Sequence, residues 1–219
     1  MLFIVFLPAC YPTYAPPARM THYGAPGKMS ADQVELSAVI SRTMESTGGE
    51  ADGAIALRDD LQLEGGAFHI PDRLTMGFVG LRYAPLNVHQ RVGHLKPTLD
   101  LESGWGVGRG GQRCYPEQEV CDDVDWKRRA AAGTYLGWGM GFNAAWFDLF
   151  FRTRWQMTLA DNVPLTHWLT AVLGVQFTLW GHLKLYFIGG AVCYDNAEDY
   201  AASFLGEAGV SVVINTRDN

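Results

Sequence analysis

His94, Asp100 and Ser103 are the three residues near one another in the sequence whose side chains could form a hydrolytic triad. Such a triad needs its nucleophile, base and carboxylate within hydrogen-bond reach of each other. Residues 95–107 alternate apolar and polar positions, which predicts a strand, and a strand directs residues of opposite parity to opposite faces. Asp100 and Ser103 then point away from each other. The sequence therefore predicts that the protein is not an enzyme.

Other residues with chemical potential do not form a convincing site either. His69, His89 and His94 fall in or beside predicted loops, but their spacing is not that of a metal site. Glycines recur at 104, 106 and 108 as in a phosphate-binding loop, yet they lack the strand-to-helix context that such a loop requires. We expect no metal and no cofactor.

The composition restricts the class of protein. The chain has 219 residues, enough for one domain with a substantial core, and its net charge of −6 gives no reason to expect nucleic acid as a partner. Hydrophobic residues make up 48% of the chain, whereas the mean hydropathy is near zero, so the apolar residues must be dispersed among polar ones. After the first nine residues, no stretch approaches the roughly 18 apolar residues that a membrane-spanning helix needs.

The elements that must position any functional side chains are strands, and the clearest is at residues 145–159. Apolar residues such as Phe147 and Trp155 share one parity there, and polar residues such as Arg152 and Arg154 share the other. The other clear strands are at 95–107, 133–142, 165–180 and 202–215, and weaker ones are at 33–41, 53–57, 61–68, 73–83 and 183–192. The sequence predicts an all-β, antiparallel up-and-down β-barrel of about eight to ten strands over residues 32–215, with residues 216–219 as a tail.

Alternation alone does not decide which face of the barrel is outside, because a soluble lipocalin-type barrel has the same period with its apolar face inside. The predicted strands are long, their apolar faces are bulky and their polar faces are rich in glycine. These features favour a membrane-spanning barrel that has lipid as its outer partner. A lipid-anchored soluble barrel of the lipocalin type that binds a small apolar ligand is the alternative.

Charged residues of both signs fall on the polar faces of the predicted strands. We expect them to form a network of hydrogen bonds and ion pairs that fills most of a narrow lumen. A narrow open pore is the alternative, and its best support is the glycine-rich polar face of residues 133–142. The predicted network consists of Glu35, Glu64, Arg82, Asp100, Glu102, Asp148, Arg152, Arg154 and Glu207.

The predicted topology has short turns at one end and longer loops at the other, as in bacterial barrels, whose longer loops are extracellular. The longest loop, residues 108–128, is the candidate surface for an extracellular ligand. It contains Cys114 and Cys121, for which we predict a disulfide because the cell envelope is oxidising. Cys193 is left over, and we expect a buried or interface-facing thiol. Aromatic residues at strand ends predict a girdle at the lipid headgroups: Tyr83, Trp105, Trp168, Trp180 and Tyr186.

The N-terminal residues resemble the end of a bacterial lipoprotein signal peptide. Residues 1–9 are mostly apolar and run directly into Cys10, and Leu7-Pro8-Ala9-Cys10 resembles a lipobox. The resemblance implies that residues 1–9 are a signal remnant and that Cys10 receives acyl chains in the periplasmic leaflet. Residues 10–31 are rich in proline without a helical or strand period, so we expect a lipidated, extended tether. The alternative is a short buried strand whose cysteine is merely packed.

Residues 33–215 as a whole resemble the small outer-membrane β-barrels of bacteria, in overall pattern and in phrases such as Gly80-Leu-Arg-Tyr-Ala-Pro85. The resemblance implies a bacterial outer-membrane protein with a structural, adhesive or interaction role. Barrels of this class include lipid A-modifying enzymes, but the histidine and serine pattern of the deacylases is absent. Such an activity is less expected than a structural role, as is a narrow pore.

Overall fold

The computed structural model describes residues 15–20, 24–27, 30–43, 47–71, 73–87, 95–112, 127–144, 146–161, 163–195 and 200–216. Ten antiparallel strands form one closed barrel, in which each strand pairs with its sequence neighbours and β1 pairs with β10. The strands are β1 Gln33–Thr43, β2 Thr47–Arg58, β3 Leu61–Ile70, β4 Leu74–Leu86, β5 Leu95–Gln112, β6 Lys127–Ala144, β7 Phe147–Ala160, β8 Val163–Leu179, β9 Leu183–Asp195 and β10 Tyr200–Asn215. The predicted fold class is confirmed, and the number of strands is ten.

The described part of the chain contains no helix that is long and apolar enough to cross a membrane.

Several strands extend beyond the segments that alternate. β5 and β6 stay paired from Leu95 with Ala144 to Gln112 with Lys127, although the far part of this ladder is rich in glycine, alanine and arginine. β2 likewise begins at Thr47, in a glycine-rich stretch that pairs with both β1 and β3. A backbone ladder satisfies the N–H and C=O groups whatever the side chains are. Pairing therefore continues where the apolar pattern has ended.

The connections between the strands lie at two opposite ends of the barrel, which we call the turn end and the loop end. The turn end holds the start of β1, the end of β10 and the connections β2–β3, β4–β5, β6–β7 and β8–β9, and the loop end holds the other connections.

Trp180 and Gly181, between β8 and β9, both have positive φ, and the His182 amide donates to the Leu179 carbonyl over 3.2 Å. Positive φ at two successive residues and this i to i+3 hydrogen bond form a tight turn, and the β8–β9 ladder begins directly outside it, where Leu179 pairs with Leu183.

The outer surface of the barrel is apolar and its interior is polar. On β7, Leu149 and Trp155 are exposed on the outside, whereas Asp148, Arg152 and Arg154 are buried inside. Outward charges among the described side chains are confined to the last few residues of their strands: Arg42, Arg58, Arg109 and Asp195. A soluble barrel has the opposite arrangement, so the lipocalin-type alternative is wrong and the wall is that of a transmembrane β-barrel.

Two of the predicted girdle residues are not on the outside. Trp168 and Tyr186 are both fully buried and face the lumen, whereas Tyr83, Trp105 and Trp180 are exposed. Trp168 breaks the alternation of β8 because it is a large apolar residue at an inward position. Its indole N–H has a partner inside the barrel, as described below.

The apolar wall predicts that a charge added to its outer face destabilises the barrel more when it lies deeper in the membrane. Leu173 lies near the middle of β8, whereas Leu159 lies near the loop end of β7. Both side chains are exposed to a similar degree, 63% and 62%. Leu173→Arg should destabilise the barrel in lipid by about 2–4 kcal/mol, and Leu159→Arg by about 0–1 kcal/mol. Urea unfolding in liposomes measures both. Equal losses would contradict a membrane-embedded wall.

Candidate functional site

The lumen of the barrel is occupied by the chain's own N-terminal region. We call residues 15–20 and 24–27 the lumen segment; all ten are buried, and none belongs to a helix or strand. The sequence predicts a lipidated, extended tether over residues 10–31, before the barrel domain. The structure instead places the described part of this region inside the wall. The reason is that its backbone polar groups and Arg19 find partners on the inward faces of the strands.

Five hydrogen bonds hold the backbone of the lumen segment. Trp168 Nε1 donates to the Ala15 carbonyl over 3.1 Å. The Arg19 amide donates to Gln156 Oε1 over 2.8 Å, and Arg154 donates to the Arg19 carbonyl over 3.3 Å. Further along, Arg152 Nε donates to the Gly24 carbonyl over 2.7 Å, and the Ala25 amide donates to Gln176 Oε1 over 3.1 Å. Side chains of β7 and β8 thus substitute for the ladder that the segment lacks.

The order of these contacts gives the direction of the lumen segment. Along β8, Ala15 meets Trp168, near the loop end, and Ala25 meets Gln176, near the turn end. Along β7, the contacts step from Gln156 through Arg154 to Arg152, which also approaches the turn end. The segment therefore runs from the loop end of the lumen to the turn end, where the chain continues into β1.

The composition of the lumen segment suits a buried backbone that has no neighbouring strand to pair with. Pro16, Pro17 and Pro26 have no amide hydrogen, so three donors that would otherwise need partners in the lumen do not exist. Gly27 has φ +64, and a Cβ there would lie 2.7 Å from the Leu86 carbonyl oxygen. This position at the turn end requires glycine for both reasons.

Glycines of the wall make room for the segment. A Cβ on Gly106 of β5 would lie 2.9 Å from the Ala18 carbonyl carbon, and one on Gly133 of β6 would lie 3.1 Å from the Ala18 Cβ. Further along β6, a Cβ on Gly137 would lie 2.6 Å from Glu102 Oε1, and one on Gly139 would lie 3.0 Å from Asp100 Oδ1. The glycine-rich face of β6 therefore accommodates the lumen segment and neighbouring carboxylates. It does not line an open channel along the described residues.

Arg19 is the most heavily engaged residue of the lumen segment. Its guanidinium forms an ion pair with Glu64 and lies 3.7 Å from Glu50 Oε1, and all three side chains are buried. It also lies 4.3 Å from the centre of the Phe78 ring and 5.9 Å from that of Tyr135. Side chains from β2, β3, β4 and β6 thus converge on one residue of the segment.

The ion pairs continue along the wall as a buried network. Glu102 accepts from Arg154 at 2.6 Å, Arg152 at 3.2 Å and Arg82 at 3.4 Å. Arg152 also pairs with Asp100, and Arg82 lies 3.0 Å from Glu64. The named network contains four guanidinium groups, of Arg19, Arg82, Arg152 and Arg154, and four carboxylates, of Glu50, Glu64, Asp100 and Glu102, so its charges balance. Buried charges are tolerated only when they are paired in this way.

The structure brings six of the nine predicted lumen residues into this network, namely Glu64, Arg82, Asp100, Glu102, Arg152 and Arg154. The other three lie elsewhere on the inward face. Glu35 pairs with Lys184 at 2.6 Å, Asp148 accepts from Asn143 at 2.7 Å, and Glu207 is buried on β10.

Two residues of the network, Arg19 and Glu50, are not among the lumen residues that the sequence predicts. Arg19 lies in a proline-rich stretch without periodicity, which is typical of a linker. Glu50 lies in the glycine-rich part of β2, before the predicted strand at residues 53–57. An isolated arginine among prolines and alanines was the only signal available for the first of them.

The remaining candidate residues do not form a site among the described parts of the chain. Asp100 is buried inside the barrel and Ser103 is exposed outside it, while His69 is exposed and contacts Thr75. No group of three or more metal-ligating residues occurs in the described ranges. Cys193 is a partly exposed free thiol on the outward face of β9. The predictions for Cys10, Cys114, Cys121, His89 and His94, and for most of the loop 108–128, fall outside the described residues.

Comparison with known proteins gives similarity to solved barrels only. No protein-family model and no curated protein matches the sequence. The N-terminal β-barrel domain of Pseudomonas aeruginosa OprF is 11% identical with a TM-score of 0.43, covering 85% of this chain and 100% of that one. The outer-membrane protease OmpT of Escherichia coli is 9% identical with a TM-score of 0.43, covering 84% and 94%. Acinetobacter baumannii Omp33 is 9% identical with a TM-score of 0.38, covering 83% and 98%.

Proposed function

We propose that the protein is a bacterial outer-membrane β-barrel that is closed by its own N-terminal region and has a structural, adhesive or interaction role. The observation that carries this proposal is the lumen segment, which fills a polar lumen and balances its charges inside a wall with an apolar exterior. A barrel that is filled in this way offers its partners the loops and the outer wall. Loop 108–128 is the surface that we propose for an extracellular partner.

The competing functions have less support. A pore needs a continuous aqueous path, but the lumen segment, which includes Arg19, and the wall residues Arg82, Arg152 and Arg154 occupy the lumen. A hydrolase with a catalytic triad needs its nucleophile, base and carboxylate on the same side of the wall, whereas Ser103 and Asp100 lie on opposite faces of β5. A structural or interaction role requires neither feature.

The direction of the lumen segment limits which side of the membrane an acyl group on Cys10 can reach. In bacterial barrels the short turns face the periplasm, and we propose the same orientation for this barrel, with its turn end in the periplasm and its loop end outside the cell. The five residues from Cys10 to Ala15 span at most about 18 Å. The stretch of β8 from Trp168 to Leu179 rises roughly 26 Å along the axis at a tilt of about 45°. We therefore propose that an acyl group on Cys10 belongs to the loop side, rather than to the periplasmic leaflet.

Conductance and extraction together test the closed membrane barrel. The full chain in planar bilayers should show no unitary current steps, because the lumen segment blocks the path. The Cys10→Ala variant should still need detergent for its release from membranes, because the wall itself is apolar. Frequent current steps from the purified wild-type protein would contradict the closed barrel and show that the protein is a pore. Release of the variant by an alkaline wash would contradict membrane insertion.

A further inference from the structure

We propose that the lumen contains a specific binding site for a guanidinium group, which Arg19 of the same chain occupies. The inference goes beyond the closed barrel, because a segment could block a lumen by bulk alone. Here the wall recognises one side chain. The ligand class is a planar guanidinium ion on a short alkyl stem, as in an arginine side chain.

The chemistry of the site matches that ion. Glu64 and Glu50 supply two carboxylates to the Arg19 guanidinium, one by an ion pair and the other at 3.7 Å. The Phe78 ring lies 4.3 Å from the guanidinium carbon, at the distance of a cation–π contact. A flat, weakly hydrated guanidinium can use carboxylates at its edge and stack its face on a ring, whereas an ammonium is a compact, strongly hydrated point charge with no flat face.

The wall also fixes the backbone of the residue that carries the guanidinium. Gln156 accepts from the Arg19 amide and Arg154 donates to the Arg19 carbonyl, at 2.8 and 3.3 Å. These two side chains are neighbours on the inward face of β7. The site therefore aligns the stem of the arginine as well as its charged group.

The site is built by the wall and not by its occupant. Its residues come from β2, β3, β4, β6 and β7, and the closed ladder of strands does not include the lumen segment. When the Arg19 side chain is removed, the named network keeps four carboxylates against three guanidinium groups. The vacated space then has an excess negative charge, which favours uptake of a cation from solution.

Chemical rescue of Arg19→Ala tests the proposal in detergent micelles, with ethylguanidinium and ethylammonium as matched probes at equal ionic strength. The variant should unfold at a lower temperature than the wild type. Ethylguanidinium should raise that temperature at a concentration about tenfold lower than ethylammonium needs, a ratio equivalent to about 1.4 kcal/mol. Equal effects of the two ions would overturn the proposal, because they would show a site for charge alone. If the variant does not refold, the same comparison is made on its refolding yield.

Two controls separate the site from general effects. Arg58→Ala removes an exposed arginine paired with Asp60, and ethylguanidinium should not stabilise it. The wild-type protein, whose site is filled, should not respond either. A similar rise in the unfolding temperature of all three proteins would contradict a specific site. Since the measurement needs no membrane and no current, its failure would leave the conductance test of the closed barrel intact.

Discussion

Glu102→Gln is expected to lower the free energy of unfolding by about 3–5 kcal/mol, the usual loss when one partner of a buried ion pair is removed. Glu102 is fully buried and accepts from Arg82, Arg152 and Arg154. Glutamine keeps the size of the side chain, so the packing of the lumen is unchanged. The change leaves three buried guanidinium groups with one carboxylate fewer, and the named network acquires a net positive charge.

Equilibrium unfolding by urea in detergent measures this loss. Asp60→Asn is the matched control, because it makes the same carboxylate-to-amide change in the exposed pair with Arg58. That pair should be worth about 0–1 kcal/mol. A loss for Glu102→Gln no larger than that of the control would show that the lumen is well hydrated and the network does not stabilise the fold.

Gly106→Val is expected to convert the silent barrel into a conducting one. A Cβ at this position would lie 2.9 Å from the carbonyl carbon and 3.1 Å from the Cα of Ala18, and backbone atoms cannot rotate away as a side chain can. The lumen segment must then shift or leave, while the valine itself suits a strand. Overpacking of this kind costs about 1–3 kcal/mol, so the ten-strand wall should persist.

Planar-bilayer recording measures the effect, with Gly189→Val as its control. Gly189 lies on the outward face of β9, and a Cβ there meets only Phe204 ring atoms at 3.7 Å. The control adds the same side chain on the lipid side and should stay silent. Two silent variants would contradict the proposal that the lumen segment is what blocks the barrel. Two conducting variants would show that any bulky change loosens the wall.

The wall is the part of this structure that the sequence predicts well. Strands such as β7 and β8 alternate bulky apolar and polar residues along their length, and this determines both their period and their faces. The same parity identifies inward charges, including Asp100, Glu102, Arg152 and Arg154. What alternation cannot detect is a strand whose outward residues are as small as Gly49, Ala51 and Gly53, which is why the first part of β2 and Glu50 were missed.

The lumen segment could not be predicted, because its signal is the same as that of a linker. A run such as Ala15-Pro-Pro-Ala-Arg-Met20 has no helical or strand period. Proline suits a solvated tether as well as a buried segment that does not pair as a strand. Two other features became interpretable only together with it. The glycines of β6 and the inward Trp168 are features of a wall shaped around a second piece of chain.

The path of the lumen segment also constrains how the molecule can fold. Its backbone hydrogen bonds with β7 and β8 join residues that are 128 to 153 positions apart. The ring closes when β1 pairs with β10, the last of the ten strands. The lumen segment precedes all ten strands, yet it can make these hydrogen bonds only when β7 and β8 are available. Such non-local contacts slow folding, and we expect the barrel to enclose the lumen segment in the step that closes the ring.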